Sequence, residues 1–292
     1  MSTIFSEDTY FKKEFSDKLI TISSVYLNGQ NLPDGWIEQQ KRNKPKYLHD
    51  MLIYGCPFSR SGGEFYKCFE RLQHVEEVEY NRELPLHITF DFNVAPYITL
   101  CIWQLDGKEA SQIDEICLTT PDNTTRKLCG EFKRKYQNHK AGVFIYGDPS
   151  GRQRTTRDQE GHDDYKIIED ELYNYHAVTR VGTSAPSIVM RGNFINTIFE
   201  SNFEGIVIKI SPKCVHSIAD YTYLKEDAEG KKLKKKVKDK QTGASFEEFG
   251  HTSDANDYFL TEVFSPEYLN YQEPPMMTDK RTYNTSNISK SY

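Results

Sequence analysis

Three aspartates stand where short segments break their own patterns. Asp91 ends the alternating run of "LHITFDFNVAP", Asp148 sits in "IYGDPSG", and Asp254 lies in "GHTSDANDYF". Asp is disfavoured in strands, and a buried carboxylate is costly unless a positive charge meets it. Brought together, three carboxylates repel one another and require cations at neutral pH. Oxygen-only ligands favour Mg²⁺ or Mn²⁺ over zinc. A pair of such ions ~3.5–4 Å apart activates water and stabilises the leaving oxygen of a phosphodiester. Each residue also has an everyday role open to it: an Asx turn for Asp91, a turn position for Asp148, a helix N-cap for Asp254. His251 and Asp257 flank the third aspartate as candidate auxiliary ligands, with a solvated surface role open to Asp257.

The surrounding pattern supplies elements to position them. Leu86, Ile88 and Phe90 alternate with His87, Thr89 and Asp91, as in a half-buried strand over 86–92. Strands are expected at 97–103 and 112–118, joined by "LDGKEA", whose Asp-Gly is a hairpin signal. "PDNTTRKLCGEFKRKYQNH" reads as an amphipathic helix, "AGVFIYGDPSG" as a buried strand entering a turn, "DDYKIIEDELYNYH" as a helix and "AVTRVG" as a short strand. "APSIVMRGNFINTIFE" is helical with Pro186 in its first turn, "GIVIKI" a strand and "KCVHSIADYTYL" a helix. "SDANDYFLTEVF" begins a final helix capped by Ser253 or Asp254. Upstream, "ITISSVYLNG" looks like a strand, "PDGWIEQQKRNKPKYLHDMLIYG" an interrupted helix and "SRSGGEFYKCF" a loop.

From residue 86 the order is β-β-β-α-β-α-β-α. Three antiparallel strands followed by alternating units suggest a mixed sheet with helices on both faces, the RNase H-like plan. If its first and fourth strands are parallel neighbours, Asp91 and Asp148 end side by side, and a helix N-terminus carrying Asp254 closes the group.

At 292 residues, 37% hydrophobic and 27% charged, the chain suits a soluble domain with an ordinary core. No apolar run is long enough to span a bilayer and no signal pattern opens the chain, so a cytosolic protein is expected. The six cysteines form no CxxC pair, which argues against a structural zinc site and a disulfide scaffold and marks them as buried or idle thiols. The net charge of −6 does not advertise nucleic-acid binding, but it averages over faces.

Two local basic segments stand out. Residues 224–243 hold eight lysines against four acids, among them Lys231, Lys232, Lys234, Lys235, Lys236 and Lys238. A solvated charge run is the usual explanation, yet placement just before Asp254 suits a loop that contacts phosphates without reading sequence. "GRQRTTRD" follows Asp148 and offers Arg152, Arg154 and Arg157 to a bound strand, with ion pairing to Asp158 or Glu160 as the alternative.

In that order, "ITFDFNVAP", "YGDPSG", "SAPSIVMRGNFINTIF", "ISPKCVHSIAD" and "GHTSDANDYFL" resemble the C-terminal nuclease domain of the large terminase subunit of tailed bacteriophages, over roughly residues 84–262. The resemblance implies an RNase H-like nuclease with two divalent ions, Mg²⁺ or Mn²⁺, that cuts concatemeric double-stranded DNA with little sequence preference. Its acidic triad falls on Asp91, Asp148 and Asp254. It further implies the portal protein and the small terminase subunit as partners, no membrane, and the cytoplasm of the infected bacterial host. The expected division is residues 1–80 as the end of an ATPase domain and linker, 81–262 as nuclease, and 263–292 as a disordered tail. No Walker A pattern occurs, so ATP hydrolysis is not expected, and the chain is either a C-terminal portion or one whose motor is encoded separately. Two other readings stay open: a resolvase- or transposase-type nuclease of the same fold, and a non-catalytic DNA-binding or portal-docking module.

Overall fold

The computed structural model describes residues 32–43, 62–152, 163–238, 243 and 245–272. The strand expected at 20–29, Arg154, Arg157, and residues 273–292 of the expected tail lie outside the described residues. The helices are α1 (Trp36–Asn43), α2 (Arg71–His74), α3 (Thr125–Lys135), α4 (Asp164–Glu171), α5 (Ile188–Ser201), α6 (Val215–Tyr223), α7 (His251–Val263) and α8 (Ser265–Gln272). The strands are β1 (Leu86–Asp91), β2 (Ile98–Asp106), β3 (Glu109–Leu118), β4 (Val143–Gly147), β5 (Ala177–Thr179), β6 (Val207–Ile210), β7 (Lys236–Lys238) and β8 (Ser245–Glu247).

The main sheet has the order β5-β4-β1-β2-β3-β6, and β7 and β8 form a separate antiparallel pair. β2 and β3 form the expected hairpin, closed from Asp106 to Glu109 with Gly107 at φ +60°. β1 pairs antiparallel with β2 and parallel with β4. Three antiparallel strands continued by parallel β4 and β5 give the RNase H-like arrangement, with β6 added beside β3.

Alternation splits the core between two faces. Leu86, Ile88 and Phe90 pack with Leu128 and Phe132 of α3 and Ile168 of α4. Cys101, Trp103 and Tyr146 face the layer of α5 to α8, with Phe194, Ile218 and Phe259. Although its pattern reads as half-buried, β1 is buried at all six positions, because helices cover both faces. Its polar residues find partners instead: the Thr89 hydroxyl donates to the Ala255 carbonyl at 2.7 Å, and His87 Nδ1 meets the Tyr146 hydroxyl at 2.9 Å.

Several boundaries differ from expectation. Pro186 lies outside α5, just before its N-cap Ser187. α7 starts earlier than expected, at His251, with Gly250 as N-cap at φ +116°. Neither Ser253 nor Asp254 caps it. The Asp220 carboxylate of α6 does so, accepting from Gly250 N and Ser253 N at 2.9 Å each and from the Thr252 hydroxyl at 2.8 Å. Residues 265–272, assigned to the disordered tail, form α8, because Tyr268 and Tyr271 give it an apolar side that packs on Phe194. Residue 80 is no edge of this core either: Phe65, Tyr66 and Phe69 are buried in it, and Val75 bridges to Ile210 of β6.

Candidate active site

β1 and β4 run parallel in register, with Phe90 opposite Gly147. Asp91 and Asp148 are the next residues on each, so two acidic positions share the ends of adjacent central strands. Gly147 permits this approach. At φ +148°, any side chain there would bring a Cβ within 2.8 Å of the Phe90 carbonyl and 2.7 Å of the Tyr165 hydroxyl.

Both aspartates are held by short local donors. Asp91 Oδ1 accepts from Asn93 N at 3.3 Å and Oδ2 from Asn93 Nδ2 at 3.2 Å, the Asx geometry open to it from sequence. Asp148 Oδ1 accepts from Ser150 N at 2.8 Å in the turn Pro149–Arg152. Among the described residues, neither forms an ion pair with a lysine or arginine. Tyr258 approaches Asp148: burial pushes its phenol up to about 12, with Arg191 opposing and Asp148 adding. The Arg191 guanidinium lies 4.4 Å from the centre of the Tyr258 ring. Arg191 is 2% exposed, and its Nε and Nη1 have no hydrogen-bond partner.

His251 meets Asp91 directly, Nδ1 to Oδ2 at 3.2 Å, while its Nε2 faces the Glu247 carbonyl at 3.1 Å. Carboxylate and carbonyl both accept, so each ring nitrogen donates and the imidazole carries a charge. Burial pulls its pKa down, but Asp91, Asp220 and the Glu247 carbonyl outweigh it and leave it above the ordinary value.

Asp254, one turn along α7, has a different setting. Lys232 Nζ reaches its Oδ1 at 2.8 Å and Lys234 Nζ its Oδ2 at 2.6 Å. Burial raises the Asp254 pKa, yet the two ammonium groups overcome this and hold it well below the usual carboxylate range. Lys234 also pairs with Glu247 at 3.0 Å; burial lowers its pKa, and the two carboxylates more than compensate. Asp257 faces the interior at 0% exposure, where Lys232 Nζ lies 2.7 Å from Oδ2 and the Tyr66 hydroxyl donates to Oδ1 at 2.6 Å. A solvated role for Asp257 is therefore excluded by its burial.

The lysine run divides accordingly. Lys232, expected to face DNA, is buried with 0% of its side chain exposed and serves as counter-ion to Asp254 and Asp257. Lys234 is bound in the same network. Lys231, Lys235, Lys236 and Lys238 are exposed along and before β7, and Lys235 pairs with Glu248 at 2.9 Å. Arg152 sends Nη2 to the Val181 carbonyl at 2.9 Å.

Asp91, Asp148 and Asp254 do not converge to mutual ligand spacing. Among the described residues, the group whose ligand atoms lie within 4.8 Å of one another is Glu115, Cys117 and His216. Sequence reasoning missed this trio, the lysine counter-ions and the Arg191–Tyr258 contact. Arg191 and Tyr258 do lie inside the segments "SAPSIVMRGNFINTIF" and "GHTSDANDYFL", which was the available signal.

No protein-family model matches the chain, and no curated protein matches it. Solved structures of similar arrangement include the large terminase of a thermophilic bacteriophage, 12% identical with a TM-score of 0.47 over 89% of this chain. The chain spans 61% of the length of that terminase. The P22 large terminase nuclease domain is 11% identical with a TM-score of 0.48, over 73% of this chain and 99% of that one. The nuclease domain of the bacteriophage SPP1 large terminase, solved with bound Mn, is 16% identical with a TM-score of 0.38, over 65% and 96%. At these values the similarity concerns the arrangement of the chain and says nothing of individual residues.

Proposed function

We propose that this chain is a metal-dependent DNA endonuclease of the kind that cuts concatemeric double-stranded DNA in phage genome packaging. The observation that carries this reading is the register of β1 and β4, which gives the ends of two adjacent central strands an aspartate each. A rigid sheet supplies the precision that metal ligands need, and loops rarely do.

The donor set fits a hard divalent cation. Asp91 and Asp148 offer only oxygens, lack Lys or Arg partners among the described residues, and keep lone pairs beyond those used by Asn93, Ser150 and His251. Asp91 and Asp148 would hold Mg²⁺ or Mn²⁺, with Asp254 as the third carboxylate of a site for two ions. When bound, such an ion supplies Lewis-acid charge and a water acidic enough to attack a phosphodiester. His251 orients Asp91 and holds a proton at Nδ1. The Tyr258 ring, braced by Arg191, orients Asp148. Exposed Lys231, Lys235, Lys236 and Lys238, with Arg152 and Arg154, follow the DNA backbone and leave bases unread. The portal protein and the small terminase subunit are the partners of this reading, and the cytoplasm of an infected bacterium its place. No described helix is long and apolar enough to cross a membrane.

A second reading, a DNA-binding or docking module without catalysis, draws on the two lysines that already neutralise Asp254. Incubation of supercoiled plasmid with Mg²⁺ or Mn²⁺ separates the two. Nicking and linearisation that EDTA stops and Asp91→Ala abolishes supports the nuclease. Intact plasmid in both metals, with a folded protein that still binds DNA, establishes the module instead.

A further inference from the structure

Glu115 and Cys117 flank Ile116 on β3 and project to the same face as Asp91: Asp91 lies opposite Thr99, and Thr99 opposite Cys117. His216 joins them from the first turn of α6. A carboxylate oxygen, a sulfur and a ring nitrogen, one from each residue, lie within 4.8 Å of one another. We propose that this trio binds one borderline divalent ion, Zn²⁺ foremost, at a site separate from the carboxylates at the ends of β1 and β4.

The ligand chemistry selects the ion. Thiolate and imidazole with one carboxylate suit zinc, whereas Mg²⁺ and Mn²⁺ prefer oxygen alone. Bonds of ~2.0–2.3 Å place tetrahedral donors about 3.3–3.8 Å apart, so the trio closes on zinc by contracting at most about 1–1.5 Å. The fourth position is left to water.

Three features of the surroundings favour a ligand there. Glu115 has no lysine or arginine partner among the described residues. Its oxygens accept from His216 N at 2.6 Å, Ser217 N at 3.0 Å and the Ser217 hydroxyl at 2.8 Å. A carboxylate has about four acceptor sites, so one remains for a metal while three donors fix its orientation. Burial and the Glu115 carboxylate push the Cys117 thiol well up, and the buried Thr99 hydroxyl across from it pulls the other way. Tyr97 packs its ring 4.8 Å from His216 and 5.4 Å from His251, walling the trio off from the first site. Capping of α6 explains Glu115 by itself, but does not account for the Cys117 thiol and the His216 ring gathered beside it.

Binding releases the Cys117 proton to solvent. The ion ties β3 to the first turn of α6. The same helix caps α7 through Asp220, so the tie also steadies the helix that carries His251 and Asp254.

Cobalt tests the site, because Co²⁺ bound to a thiolate gives a near-ultraviolet charge-transfer band and Co²⁺ on oxygen ligands does not. The full chain is expected to develop this band with one equivalent of Co²⁺, and to lose it when Zn²⁺ is added. Cys117→Ser abolishes the band, His216→Ala weakens cobalt binding at least tenfold, and Asp91→Ala leaves it intact. No band at one equivalent overturns the proposal. So does a band that survives in Cys117→Ser, or one that disappears in Asp91→Ala. If circular dichroism shows Cys117→Ser to be unfolded, His216→Ala decides, and wild-type cobalt affinity in that variant overturns the site. None of these outcomes bears on plasmid cleavage, so this proposal and the nuclease reading fail separately.

Discussion

Two groups of ligand-type side chains share one face of the sheet, at its β1–β4 end and at β3, and they settle charge in opposite ways. Around α7, carboxylates are met by cations: Lys232 and Lys234 on Asp254, Lys232 on Asp257, His251 on Asp91. At β3, Glu115 is met by uncharged N–H and O–H donors, and burial pushes its carboxyl up to about 7 against their pull. Asp254 on α7 and Glu115 on β3 thus move in opposite directions, according to whether an ammonium group lies within 3 Å.

The largest expected effect probes the first group. Asp91→Ala is expected to lower plasmid cleavage by more than about 100-fold, since partners outside the ligand shell already cost ~10–100-fold. Unaltered cleavage would remove Asp91 from the chemistry. Next comes Lys232→Met, which leaves the carboxylates of Asp257 and Asp254 beside a neutral stem. Urea unfolding is expected to show a loss of about 3–5 kcal/mol. Lys234→Met, whose parent side chain is 31% exposed, is expected to cost less.

The second group is probed by pH. With a folded pKa of about 7 against 4.5 for the free side chain, Glu115 favours the folded state most fully below pH 4.5. That contribution is lost as pH rises through 7, and amounts to at most about 3 kcal/mol. Asp254 runs the other way. Its contribution is present above its ordinary value of 3.8 and is lost only as pH falls through its depressed folded value. Glu115→Gln is expected to flatten the stability profile between pH 4.5 and 7, and a variant with the wild-type slope there would refute the contrast. The smallest effect belongs to the surface. Replacing Lys231, Lys235, Lys236 and Lys238 with alanine is expected to weaken DNA binding about tenfold on every sequence and to flatten its salt dependence, each lost phosphate contact removing ~0.9 from the slope. Binding that keeps its salt slope would return these lysines to a solvated charge run.

Much of the sheet was legible because hydrophobic period and turn chemistry are local. The alternation of 86–91, the Asp-Gly of the β2–β3 hairpin and the apolar run before Gly147 each marked its element within a few residues. The adjacency of Asp91 and Asp148 followed from strand order. The start of α7 was misplaced because its cap comes from Asp220, which is 30 residues before Gly250. Cysteine spacing did not single out the Glu115, Cys117 and His216 group, because that rule searches for paired cysteines, while this group takes one cysteine and borrows a histidine from α6.

By itself the sequence determined the strands and helices of the main sheet and its layers and placed Asp91 and Asp148 at strand ends, since backbone preference and side-chain period act over neighbouring residues. Helix α8 and the β7–β8 pair came only from the structure. Only the tertiary structure decided what charge each carboxylate meets. A lysine run reads the same whether its ammonium groups face water or a buried aspartate. Coulomb energy depends on separation and on the surrounding dielectric, and both are set by packing between elements far apart in the chain.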